Sequence, residues 1–152
     1  MILAIPFLFT ITLNPPEAPP DLCPLVAELN AVIAENSALV PAPCPQIGFA
    51  ALPVGGALRS QAGAYLTETG AIELASDLDL TTAYGQSYLL HELVHAAQYA
   101  GGAHMQVICP QKLEAEAYAL QADFLRDRGL PREAILIRVL GAHLGSCGGD
   151  GY

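Results

Sequence analysis

Residues 86–100 read Gln-Ser-Tyr-Leu-Leu-His-Glu-Leu-Val-His-Ala-Ala-Gln-Tyr-Ala, with His91-Glu92-Leu93-Val94-His95 at their centre. The run holds neither glycine nor proline and is apolar around most of its circumference, so it predicts a buried helix. On a helix, residues four apart share a face. His91 and His95 therefore point the same way and can hold one zinc ion between them. Glu92 follows the first histidine on an adjacent face, where it can reach a water on that ion and act as its general base. A single histidine on an apolar helix is most simply a hydrogen-bonded core residue. Two of them with a carboxylate between are harder to place in that way, because burying all three is costly unless they are paired or bound to a metal.

Such a site needs a third protein ligand and one open position. Residues 112–125 carry strong helix formers and no glycine or proline, and predict a second helix. Two of its carboxylates qualify, Glu114 and Glu116. They lie about 200° apart around a helix, so only one can face the ion. Glu116 shares a stripe with Leu113 and Leu120; Glu114 shares one with Ala117, Tyr118 and Gln121. The carboxylate left over is then solvated or supports the site from behind. His104 and His143 stand at no ligand-like spacing from the pair and read as loop or surface residues.

Eighteen residues separate His95 from Glu114. This separation resembles that of the gluzincins, the glutamate-liganded zinc peptidases. Glu114-x-x-Ala117 is similar to their third-ligand helix, where a small residue lets two helices approach. More closely, His91 to His95 with Gln98, then Cys109, then Glu114, Ala117, Tyr118 and Gln121 resemble small bacterial zincin-like proteins of the HExxH type. The likeness spans roughly residues 60–130. It implies Glu114 rather than Glu116 as third ligand, one Zn²⁺ per chain, and a peptide or protein as substrate. It also implies a hairpin just before the metal helix, whose edge strand lines the cleft and pairs with an extended peptide. An oxyanion donor is normally needed as well. Tyr118, one turn beyond Glu114, is the candidate, with a helix-packing tyrosine as the plain alternative. Gln98 and Gln121 read either as orienters of the ligands or as interhelical hydrogen bonds.

A chain of 152 residues fits one domain with a real core. The net charge of −9, with five of six basic residues after position 111, argues against nucleic acid and against anionic membrane surfaces. Residues 1–13 are apolar, too short for a membrane span, and end at Asn14-Pro15-Pro16. They resemble the apolar core of a secretory signal without its basic start; a buried first strand is the competing reading. The expected division is an apolar, proline-rich segment over 1–20 and a single domain over 21–152. Four cysteines without a C-x-x-C motif suit an exported protein, periplasmic or extracellular. Pairing Cys23 with Cys44 and Cys109 with Cys147 closes two loops of modest length. Four reduced thiols in a cytosolic protein is the alternative.

The remaining elements are coarse. Residues 21–38 place Leu22, Val26, Leu29 and Ile33 at helical spacing, with Asp21 as N-cap. Residues 41–53 read as a proline-punctuated connection, and 64–75 as a hairpin around Glu68-Thr69-Gly70. Gly101-Gly102 suits a left-handed end to the metal helix. Residues 131–144 form a last helix opened by proline, and 145–152 a glycine-rich tail. The expected fold is α+β: a minimal zincin-like domain, a small antiparallel hairpin or sheet packed on an HExxH helix and a glutamate helix. The expected activity is hydrolysis of peptide bonds by a zinc-activated water. Two other classes fit the same residues: a zincin-like zinc-binding module without efficient hydrolysis, and a disulfide-stabilised structural protein without metal.

Overall fold

The computed structural model describes residues 21–51 and 62–148. The expectations for residues 1–20, and for the last residues of the tail, lie outside the described part. Helix α1 spans Cys23–Asn36. Strand β1 (Ile47–Ala50) follows, then β2 (Gly63–Leu66) and β3 (Ala71–Ala75). The metal-motif helix α2 spans Ala83–Ala100, and a short 3₁₀ turn at Ala103–Met105 leads towards α3 (Gln111–Asp127) and α4 (Pro131–Leu144). Among the described residues the fold is α+β, four α-helices and a three-stranded sheet.

The hairpin forms where the alternation and the Glu68-Thr69-Gly70 turn place it, with Tyr65 opposite Ile72 and Ala64 opposite Glu73. The sheet is mixed, however. β1 pairs parallel to β3, Ile47 beside Ile72 and Phe49 beside Leu74, giving the order β1-β3-β2. Residues 41–53 are thus more than a connection: four of them add an edge strand. Its four residues carry too little alternation to stand out among prolines, and only the partner strand supplies the hydrogen bonds. β3 is central, with Ile72 and Leu74 fully buried on one face.

That face meets α2. Leu89, Leu90, Leu93 and Val94 pack with Ile72, Leu74 and the α1 stripe of Val26, Leu29 and Ile33. From α3, Ala117, Leu120 and Phe124 complete this core. A second, smaller cluster of Ala122, Leu125, Ala134 and Ile137 joins α3 to α4. Gly141 and Gly145 let these helices close up: a side chain at either would overlap Tyr118 or Ala115.

The first helix starts later than the pattern suggests. Leu22 is its N-cap and makes no side-chain cap bond, while the Asp21 carboxylate accepts from the Cys23 N–H just outside. It ends at Asn36, where Ser37 is extended and returns its N–H to the Ile33 carbonyl. Both disulfides form as paired above, Cys23–Cys44 and Cys109–Cys147, so all four cysteines are bridged. Bridges of these loop lengths stabilise by about 3–4 kcal/mol each in the chain-entropy picture. They fit a protein of an oxidising compartment. Among the described residues, no helix is long and apolar enough to cross a membrane.

Candidate metal centre

Helix α2 begins one turn before its glycine-free run. Thr82 is the N-cap, and its hydroxyl accepts from the Gly85 N–H. Gly85 is required there, because a Cβ would overlap the Asp79 carbonyl. At the other end Gly102 takes φ 71°, the left-handed conformation expected of the pair. Between these ends every residue from Leu89 to Gln98 is buried. The helix is held between the sheet and α1 on one side and α3 on the other.

On the α3 side, His91, His95 and Glu114 converge. The two Nε2 atoms lie 3.2 Å apart. Glu114 Oε2 is 3.3 Å from His91 Nε2, and its Oε1 is 3.3 Å from His95 Nε2. A tetrahedral ion with bonds of about 2.0–2.1 Å sets its ligand atoms about 3.3 Å apart. The three donors therefore already have the spacing that one small divalent cation requires, and they form a cluster able to hold one. The histidine side chains are almost closed to solvent, at 8% and 10% exposed, whereas that of Glu114 is 39% exposed. The cluster is open on the Glu114 side, which is where a further ligand could enter.

The imidazoles are oriented by glutamines. His95 Nδ1 lies 2.9 Å from Gln98 Oε1, and His91 Nδ1 lies 3.1 Å from Gln121 Oε1. The amide orientations follow from their other partners. Gln98 Nε2 donates to the Leu113 carbonyl and to the Glu116 carboxylate at 3.0 and 2.9 Å. Gln121 Nε2 donates to Ser87 Oγ at 3.2 Å, and that hydroxyl gives its own proton to the Tyr84 carbonyl. Each Oε1 must then accept from Nδ1–H, which turns both Nε2 atoms into the cluster, as lone pairs while the imidazoles are neutral and as N–H donors to Glu114 when they are protonated. Both glutamines are fully buried. Glu116 thus stands behind the site, holding Gln98, while Glu114 faces it.

Charge is distributed accordingly. Burial pushes the Glu114 carboxyl up, but hydrogen bonds and charge from His91 and His95 outweigh it and hold the group well below the usual carboxylate range. Burial pulls the His95 imidazolium down, and Glu114, Glu92 and Gln98 together more than reverse this, so its pKa is raised. Glu92 moves the other way. Burial raises its carboxyl above the ordinary value, and the nearby histidines only partly offset that. A buried carboxyl with a raised pKa, beside a cluster that could hold a cation, is able both to accept and to return a proton.

Tyr118 lies with its ring 4.3 Å from that of His91, edge to face, and interacts electrostatically with Tyr88. Tyr88 in turn shares a 2.8 Å hydroxyl contact with Tyr84, and burial foremost keeps its phenol protonated far above neutral pH. The ring of Tyr118 thus packs against one of the two histidines of the cluster. His143 is exposed, and His104 stacks on Tyr99 at 4.4 Å; neither belongs to the cluster. Two participants carry no sequence signal. Ser87 reads as an ordinary helix residue until Gln121 is seen against it. Gly63 reads as a weak strand residue until Glu92 is seen against it.

The chain matches the family described as Domain of unknown function (DUF6647) over residues 25–143. No curated protein and no solved structure matches it significantly. The matched stretch takes in every described helix core, both histidines, Glu92 and Glu114, and the chain belongs to this family.

Proposed function

We propose that this member of the DUF6647 family is an exported zinc-dependent peptidase of gluzincin type, with His91, His95 and Glu114 as ligands of one Zn²⁺. The observation that carries the reading is the convergence of three donor atoms at 3.2–3.3 Å, with both imidazole tautomers held by buried glutamines. The two disulfides support an oxidising destination beyond the cytoplasm, periplasmic or extracellular.

Zinc bound there supplies a Lewis acid that polarises a carbonyl and brings the pKa of water to about 7. The protein's own groups do the rest. Glu92, buried and adjacent to the ligands, takes a proton at its carboxylate and returns it to the leaving amine. Its raised pKa suits both halves of that exchange. Tyr118, packed on Gly141 and against the His91 ring, is the candidate to donate to an oxyanion. The partly exposed Glu114 side leaves room for a peptide, while the closed histidine side excludes water from behind.

The test combines elemental analysis with a mixed peptide library. The expected result is one zinc per chain, and hydrolysis that Glu92→Gln lowers by about 10²- to 10⁴-fold while zinc is retained. Zinc held without hydrolysis of any library member would move the protein to a zinc-binding module. Absence of zinc after reconstitution would sink the metal reading.

A further inference from the structure

Glu92 lies against strand β2. Ala75 N–H donates to the Ala62 carbonyl, so along the antiparallel pair Ala64 and Leu66 make the ladder bonds to Glu73 and Ala71. Alternation then turns the backbone polar groups of Gly63 and Tyr65 away from β3, to the open edge of the sheet. The Tyr65 backbone hydrogen-bonds to Glu92 at this edge. A Cβ at Gly63 would lie 2.8 Å from Glu92 Cγ and 2.9 Å from its Oε1. It would also come 3.1 Å from Leu74 Cδ2, so the crowded atoms have a packed residue behind them. Glu92 is only 6% exposed and has no open solvent to swing into. The glycine of β1 makes the contrast: a Cβ at Gly48 meets nothing within 4 Å.

We propose that Gly63 is a positioning residue: by lacking a side chain it leaves the space on the β2 edge in which the Glu92 carboxylate is held for proton transfer. The inference rests on the functional reading above for its chemistry, but its geometry is independent of it. The edge strand is thereby more than a wall of the cleft. It sets the place of the base, and any side chain at position 63 drives the carboxylate off that place.

The experiment compares Gly63→Ala with Gly48→Ala in the full chain reconstituted with zinc, and repeats Gly63→Ala in a Glu92→Ala background. Gly63→Ala should keep stoichiometric zinc and lower kcat on the peptide library by about tenfold or more, since misplacement by an ångström can cost about 10²-fold. Gly48→Ala should leave turnover unchanged. Gly63→Ala should also lower Tm in the otherwise native chain, and most of that loss should vanish when Glu92 is Ala. A Gly63→Ala protein that hydrolyses at the native rate, or an equal Tm loss in both backgrounds, overturns the proposal. If the native protein hydrolyses nothing, the peptidase reading fails, and the Tm comparison still decides this one. If Gly63→Ala alone does not fold, folding restored by Glu92→Ala supports the proposal, and failure in both backgrounds overturns it.

Discussion

The two sides of helix α2 are both buried, and they are built differently. Towards the sheet and α1, Leu89, Leu90, Leu93 and Val94 meet Ile72, Leu74, Val26 and Ile33 in an apolar core. Towards α3, Ser87, His91, His95 and Gln98 meet Glu114, Glu116 and Gln121 in a hydrogen-bonded layer. The apolar side gains free energy from every ångström of surface it removes from water. The polar side gains little net stability, because each buried group must be matched merely to recover its hydration. The first side builds the core that sets the fold, and the second gathers the cluster of His91, His95 and Glu114 that could hold a metal ion.

The sharpest way to break this division is to remove the site. His91→Ala with His95→Ala should abolish stoichiometric zinc binding, measured by elemental analysis. It should also erase the rise in Tm that zinc gives the native chain, a stabilisation of about 2.7 kcal/mol at a hundredfold excess over Kd. Stoichiometric zinc in the double variant would show that the polar layer is not a metal site. The apolar side should answer in the opposite currency. Leu93→Ala leaves a cavity and should cost about 2–5 kcal/mol in urea unfolding, while the folded fraction retains its zinc affinity. A loss of affinity comparable to the loss of stability would mean that the two sides are not separable.

A finer cut goes behind the ligands. Gln98→Leu and Gln121→Leu should each weaken zinc by about 10- to 100-fold, the usual cost of removing a partner of a ligating histidine. Competition with a chromophoric chelator measures this. Unchanged affinity would show that the tautomers are held by something other than the glutamines. Glu116→Gln should fall below both, since it touches the site only through Gln98.

The smallest effect concerns Glu92 in chelator-treated protein. Its folded carboxyl titrates above the ordinary value because of burial. Between the unfolded and folded pKa the native state binds more protons, so this group's contribution falls as pH rises through that window. Glu92→Gln should then be more stable than the native chain at neutral pH, and the difference should close near about pH 4, where an unfolded glutamate takes up its proton. Urea midpoints at the two pH values measure it. A Gln variant less stable at neutral pH would mean that the carboxylate is stabilised in the metal-free fold.

Much of this was legible in the chain. An unbroken apolar run without glycine or proline marks α2, strong helix formers mark α3, an opening proline marks α4, and the Val26, Leu29 and Ile33 stripe marks α1, because propensity and periodicity are written locally. The turn at Glu68-Thr69-Gly70 marks the hairpin for the same reason, and the cysteine spacings lead to the bridges that form. The α+β class follows from these alone. The candidate cluster was half legible: two histidines four apart share a face by helix geometry, whatever the rest of the chain does.

What only the tertiary structure decided depends on residues far apart in sequence. Strand β1 exists because β3 offers its edge, not because residues 47–50 insist on it. Glu114 and Glu116 are equal as helix residues, and the crossing of α3 over α2 turns one to the histidines and the other to Gln98. Ser87 and Gly63 gain their meaning only when Gln121 and Glu92 arrive against them. Local sequence sets which face a side chain occupies, since that is a matter of dihedral angles. Which group it meets there is set by how the helices and the sheet pack, and no local pattern encodes that approach.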